Sequence, residues 1–244
     1  MSAAADSKFI DVSVWRGDET GGRHQDFRVP AYDNQTVLDI VSWIQQHSDA
    51  TLTYRFACRV GMCGSCAMMV NGEPRWTCRT HVNKVTSGST LTIEPLRNLP
   101  VIKDLVTDMD AFFEKWVNAK GVHEPSSSRH DPMVSVDPAD KNRVAASEGI
   151  ECINCAVCYS ACDTVAANPD YAGPAALQRA WTLVNDKKNK DASAVLDAVS
   201  KNGGCHSCHS HGSCTHYCPV ELNPMKAIAG LKRQTTFTFW RKRG

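Results

Sequence analysis

Twelve cysteines are gathered in three short stretches of this 244-residue chain, at 58–78, 152–162 and 205–218. Thiols crowded in this way either pair as disulfides or hold metal, and in both cases they fix the course of their loops before any hydrophobic core does. The sequence opens "MSAAADSKFI", which has neither the apolar core of a secretory signal nor the arginine-rich, acid-free character of a transit peptide. A reducing compartment is therefore expected, and there clustered cysteines serve as metal ligands. The formal net charge of +1 offers no electrostatic footing for nucleic acid, so no nucleic-acid partner is expected. No run reaches the ~18 apolar residues of a membrane span. The chain is expected to have no transmembrane segment of its own and to take any membrane role through partners.

The first stretch, "CRVGMCGSC" continued by "WTC", places Cys58, Cys63, Cys66 and Cys78 at C-x4-C-x2-C-x11-C. The first three spacings are those of the plant-type [2Fe-2S] loop. Four thiolates must enclose two irons and two sulfides, and Gly61 and Gly64 let the loop curl closely enough to aim backbone N–H groups at the sulfurs. A four-thiolate zinc site favours two C-x2-C pairs, and here the second pair is missing.

In the second stretch, "CINCAVCYSAC", Cys152, Cys155, Cys158 and Cys162 are spaced C-x2-C-x2-C-x3-C. This is the run of two-cluster ferredoxins, whose fourth cysteine crosses to the other cluster. A crossing ligand demands a second partial set, which "CHSHGSCTHYCP" supplies in Cys208, Cys214 and Cys218. Reciprocal wiring gives Cys152, Cys155, Cys158 and Cys218 to a [4Fe-4S] cluster and leaves Cys162, Cys208 and Cys214 for the other. A regular run would carry a cysteine at 211, where His211 stands. Three thiolates favour a [3Fe-4S] cluster, with a four-iron cluster completed by Cys205 or His211, or a zinc site, as the alternatives. "CHSCH", Cys205 to His209, fits the covalent haem pattern literally, but the reciprocal spacing claims Cys208. His206 and His216 are expected to be solvated or hydrogen-bonded.

Between the cysteines, Ile10, Val12 and Val14 alternate with polar residues, and "RGDETGG" before "QDFRVP" suggests a hairpin. "TVLDIVSWIQQH" reads as an amphipathic helix capped by Thr36 and Asp39. Asn71-Gly72 marks a second hairpin, and "STLTIEPL" a closing strand. A mixed sheet covered by one helix follows. Beyond Arg97, "IKDLVTDMDAFFEKWVNAK" spaces Leu105, Met109, Phe112, Phe113 and Trp116 on one helical face. "HEPSSSRHDPMVSVDP" has the composition of an exposed connector, and "GPAALQRAWTLVND", "ASAVLDAVSKN" and "NPMKAIAGLKRQ" are helical in pattern. The second half therefore reads as a small helical domain built around metal.

A plant-type loop followed by a helical domain with two wired clusters resembles the iron–sulfur subunit of the succinate dehydrogenase and fumarate reductase family. The resemblance rests on "CRVGMCGSCAMMVNG", on "CINCAVCYSAC" continued by "NPDYAGPAAL", and on "CTHYCPVELNP". It implies an α+β chain, with a β-grasp [2Fe-2S] ferredoxin domain over 1–104 and an α-helical ferredoxin domain over 105–244. It further implies transfer of electrons through [2Fe-2S], [4Fe-4S] and [3Fe-4S] clusters between an FAD-containing flavoprotein subunit and a membrane anchor that holds quinone. The chain would then be peripheral, on the cytoplasmic face of a bacterial inner membrane. "NPDYAGPAAL", and Ala167 where succinate dehydrogenases carry a quinone-pocket tryptophan, make it more similar to the fumarate reductase type. Asp163 replaces a proline usual in the family. Lys232 and His209 match family positions at the quinone end. The tail, which mixes Lys232, Arg233, Arg241, Lys242 and Arg243 with Phe237, Phe239 and Trp240, suits an anionic lipid surface or an anchor's face, or is simply solvated. No acid, base or nucleophile constellation stands out, so redox conduction without bond-making chemistry is expected. Other flavin-linked electron carriers, of the heterodisulfide or glycolate-oxidase type, carry two complete cysteine runs and no plant-type loop.

Overall fold

The structure, a computed structural model, describes residues 9–86 and 90–241, with side chains up to residue 237. The side chains of Phe239, Trp240, Arg241, Lys242 and Arg243 in the basic tail lie outside the described residues. The chain divides into two compact units, one comprising the chain to Met109 together with Ile153–Ser160, the other Asp110–Cys152 together with Ala161–Gly244.

In the first unit, β1 (Phe9–Asp18) and β2 (Gly21–Pro30) form the expected antiparallel hairpin. The capping box starts α1 (Val37–His47), where the Thr36 hydroxyl accepts from the Asp39 N–H and the Asp39 carboxylate from the Thr36 N–H. β3 (Ala67–Val70) and β4 (Glu73–Trp76) turn at Asn71-Gly72, whose φ values of 50° and 81° are those of a type I′ hairpin. After the single turn α2 (Val82–Val85), β5 (Thr90–Glu94) returns parallel to β1. With β6 (Val101–Lys103) and β7 (Val106–Thr107), the sheet runs β4-β3-β5-β1-β6-β7, with β2 also on β1. The inward residues Val12, Val14, Leu91 and Ile93 meet Val37, Ile40, Val41 and Ile44 of α1 in one buried core. A hairpin, a covering helix and a central parallel strand make this a β-grasp domain.

The β6–β7 hairpin corrects the expectation of one long helical face from Ile102 onward: a helix begins only at Asp110. The reason is Asp104. It adopts φ 48° at the turn and is 2% exposed, and its carboxylate accepts from the N–H groups of Gly17 (3.1 Å) and Thr53 (2.9 Å). Arg16 Nε lies 3.0 Å from the same carboxylate, an ion pair without hydrogen-bond alignment, while its Nη1 meets Asp49 at 2.7 Å. The Leu105 N–H also donates to the Thr53 carbonyl. These contacts outweigh the helical spacing of Leu105 and Met109 and carry the first unit past residue 104 to Met109. The return of Ile153–Ser160 to this unit had no signal in the sequence.

The second unit is helical: α3 (Asp110–Asn118), α4 (Lys141–Ile150), then, after α5 (Val157–Ser160) in the first unit, α6 (Asp163–Ala167), α7 (Pro174–Asn185), α8 (Ala192–Val199), α9 (Ser213–His216) and α10 (Pro224–Arg241). α7 is central, packed on α3, α4, α8 and α10, with Leu177, Ala180 and Leu183 buried. Two glycines permit that closeness: a side chain at Gly149 would collide with Thr182, and one at Gly230 with the Trp181 ring. Residues 119–140, which include the expected connector at 123–138, hold no helix or regular strand and expose Met133 almost fully.

Replacing Asp104 by alanine should leave the Arg16 guanidinium without its buried partner, at a cost of about 3 kcal/mol. A lower urea midpoint by circular dichroism is the expected outcome; an unchanged midpoint would exclude this role for Asp104.

Candidate iron–sulfur sites

The first cysteine set is built on the β3–β4 hairpin. Ala67 pairs with Trp76, so Cys66 enters and Cys78 leaves that hairpin on neighbouring strands, and Thr77 holds the Cys66 carbonyl through its N–H (3.2 Å) and its hydroxyl (2.8 Å). Both thiols are buried beside Leu38. Burial, with Cys66 alongside, pushes the Cys78 thiol up to about 12. The other two cysteines lie toward solvent on a loop wound through left-handed conformations at Arg59 (φ 58°), Gly61 (φ 76°) and Gly64 (φ 70°). That winding directs the N–H groups of Val60 and Met62 at Cys58 Sγ, at 3.4 and 3.2 Å, and they draw this thiol down to about 6. Backbone donors aimed at sulfur are the requirement of a thiolate-held cluster, so the residues fit a [2Fe-2S] group.

Within the first unit, Cys155 packs on this same loop: a β-carbon on Gly64 would come 2.5 Å from Cys155 Cβ. Asn154 (φ 52°) and Ala156 (φ 60°), both left-handed, flank Cys155. Such strain at non-glycine residues persists where surrounding contacts fix it. Here Ser160 Oγ accepts from the Arg97 N–H (2.9 Å) and donates to Met69 Sδ (3.3 Å), and Asn98 Nδ2 donates to the Tyr159 carbonyl (3.0 Å). Cys158 lies in α5.

In the second unit, Cys152 follows α4 with its N–H on the Gly149 carbonyl. Cys218 follows α9, and its Sγ accepts from the Leu222 N–H at 3.3 Å. Cys162, Cys208 and Cys214 line one cavity of this unit together with Tyr171, His211 and Ile228. The Ser210 N–H donates to Cys208 Sγ at 3.3 Å from a left-handed turn (φ 61°). Burial pushes the Cys214 thiol up to about 11. Tyr171, 1% exposed, has its phenol raised by burial and by the neighbouring Cys208. It lies in "NPDYAGPAAL", where neither period nor spacing marks it as a cavity residue.

Cys205 is not among the residues lining that cavity. It is fully buried, with Sγ 3.8 Å from Thr235 Oγ1 on α10. His206 contacts the same hydroxyl at 2.9 Å, and His216 stacks edge-on against Tyr217. His209 is exposed, its ring 6.1 Å from that of His211. Lys232 reaches back from α10 to donate to the Cys208 carbonyl at 2.7 Å.

A β-grasp unit with a thiol loop on its hairpin and a helical unit with paired cysteine runs define a two-domain iron–sulfur protein. Known families agree: residues 11–114 match a 2Fe-2S iron-sulfur cluster binding domain, and residues 151–223 a 4Fe-4S dicluster domain. The fumarate reductase iron-sulfur subunit of Mycobacterium tuberculosis is 34% identical over 91% of this chain and 90% of its own length. The mitochondrial succinate dehydrogenase [ubiquinone] iron-sulfur subunit 1 of Oryza sativa subsp. japonica is also 34% identical, over 95% of this chain and 83% of its own. In solved structures, a chain of the Mycobacterium smegmatis Sdh1 complex in the apo form matches with a TM-score of 0.85 at 26% identity, covering 96% of this chain and 98% of that one. The chain belongs to the family of iron–sulfur subunits of fumarate reductase and succinate dehydrogenase. Relatives of both names stand at the same identity.

Gly64→Ala should force Cys155 and the loop apart. Loss of the reduced [2Fe-2S] EPR signal from the purified protein is expected; a signal of full intensity would show that the loop does not need this contact.

Proposed function

We propose that this chain conducts electrons singly between an FAD-containing flavoprotein, where succinate and fumarate interconvert, and quinone held by a membrane anchor. Cys58, Cys63, Cys66 and Cys78 would hold the [2Fe-2S] cluster, Cys152, Cys155, Cys158 and Cys218 the [4Fe-4S] cluster, and Cys162, Cys208 and Cys214 the [3Fe-4S] cluster. When bound, these groups supply one-electron redox chemistry; the chain supplies spacing, hydrogen bonds and shielding from water. The observation that carries the reading is the packing of Cys155 on Gly64. With Cys155 as a ligand, this packing would bring the second cluster against the loop of the first, the closeness an electron path needs.

The three-iron assignment draws support from Cys205, which is buried against Thr235 and absent from the cavity lining. His211 does line the cavity, as does Asp163, and either side chain could offer a fourth ligand there. The described residues contain no helix long and apolar enough to cross a membrane. Attachment to the cytoplasmic face of a bacterial inner membrane would come through the anchor, with His209 and Lys232 at the quinone end.

The test is EPR of the purified complex, oxidised and after dithionite, with iron analysis. About nine irons per chain, the total of the three cluster types, and a paramagnetic oxidised three-iron signal are expected. About ten irons and an EPR-silent oxidised sample would replace the three-iron cluster by a cubane with a fourth ligand, such as Cys205 or His211. Cys214→Ser should abolish the oxidised three-iron signal and quinone reduction while flavin-linked reduction of an artificial acceptor continues. Retention of both the signal and quinone reduction would remove Cys214 from the ligand set.

A further inference from the structure

Tyr171 enters the third cavity from the loop between α6 and α7. Its N–H donates to the Asn168 carbonyl at 3.0 Å, and the N–H of Ala172 donates to the Gly203 carbonyl at 2.7 Å. Gly203 is left-handed (φ 74°) and packs so closely on the Asp170 carbonyl that a β-carbon there would collide with it. The loop that carries Tyr171 is therefore fastened to the backbone just before the third cysteine stretch. Held in this way, the side chain is 1% exposed and lines the cavity together with Cys162, Cys208 and Cys214.

A buried phenol needs a partner for its one proton. The partner here is Cys208: the hydroxyl hydrogen-bonds to that side chain, and Cys162 and Cys214 are near enough to act on it electrostatically. Burial keeps the phenol neutral, and toward a thiolate a neutral phenol can only donate. Cys208 Sγ also accepts from the Ser210 N–H at 3.3 Å. The sulfur thus meets donors from two segments, and one of them is a side chain that can be changed without touching the backbone. Donors on a cluster sulfur draw off its negative charge and favour the state that carries one more electron.

We infer that Tyr171 is a positioning residue for the third cluster, whose hydroxyl holds the Cys208 sulfur and raises the reduction potential of the group bound there. This rests on the proposed assignment of Cys162, Cys208 and Cys214 to one three-iron cluster.

The experiment is an EPR-monitored redox titration of the purified complex carrying the wild-type chain or Tyr171→Phe, with proton ENDOR of the oxidised three-iron signal in H2O and D2O. Phenylalanine keeps the ring and its packing and removes only the hydroxyl. The variant should retain the three-iron signal at full intensity, with its midpoint shifted to lower potential and one exchangeable proton coupling fewer than wild type. The [2Fe-2S] midpoint should stay where it is. An unchanged three-iron midpoint, or an unchanged set of exchangeable couplings, would overturn the inference and leave Tyr171 a packing residue. Loss of the three-iron signal in Tyr171→Phe would overturn it as well, since the hydroxyl would then be needed to assemble the cluster and not to set its potential. A wild-type sample without any three-iron signal would instead overturn the cluster assignment on which the inference stands.

Discussion

A thiolate close to the surface of a protein needs hydrogen-bond donors, and the backbone can supply several only by turning sharply around the sulfur. The cysteine loops of this chain meet that requirement through left-handed residues: Arg59, Gly61 and Gly64 around Cys58 and Cys63, Asn154 and Ala156 around Cys155, Ser210 beside Cys208. Most of these are not glycine, so each turn costs conformational energy that the surrounding packing must offset. The sheet and helices can be understood as the supports that hold these turns. Thr77 clamps Cys66, Ser160 and Asn98 tie down the segment that carries Cys155, and α10 grips the segment that carries Cys208.

The supports differ between the units because the thiols enter from different elements. In the β-grasp unit, two thiols rise from a rigid hairpin into burial and two lie on an exposed loop. Their acidities separate accordingly, one drawn down by N–H donors and one pushed up by loss of water. In the helical unit Cys214 lies in the single turn α9, and the other thiols come from short segments between helices. Rigidity there comes from close packing on α7, made possible by Gly149 and Gly230. Metal sites on such scaffolds gain precision from the second layer of contacts as much as from the ligands.

Much of the local structure was legible in the residues. The capping box at Thr36, the Asn71-Gly72 hairpin, the alternation of β1 and the helical patterns of α7, α8 and α10 all depend on interactions within a few positions. The helix expected over 102–120 begins only at Asp110 because Asp104 makes its decisive contacts with Gly17 and Thr53, far away in sequence. The return of 153–160 to the first unit was hidden for the same reason: its partners Met69, Arg97 and Asn98 carry no mark of it. Cys205 stands in the sequence as a possible fourth ligand, whereas its side chain lies against Thr235, on a helix thirty residues later.

The sequence by itself determined how many thiols are available, their spacing, and hence the family and the cluster chemistry, because ligand spacing in a loop is a covalent property of the chain. Tertiary structure decided which thiols share a cavity, which one is withdrawn from it, and where the positive end of Lys232 lies. Those outcomes depend on burial and on contacts between distant segments, which exist only once the chain has folded.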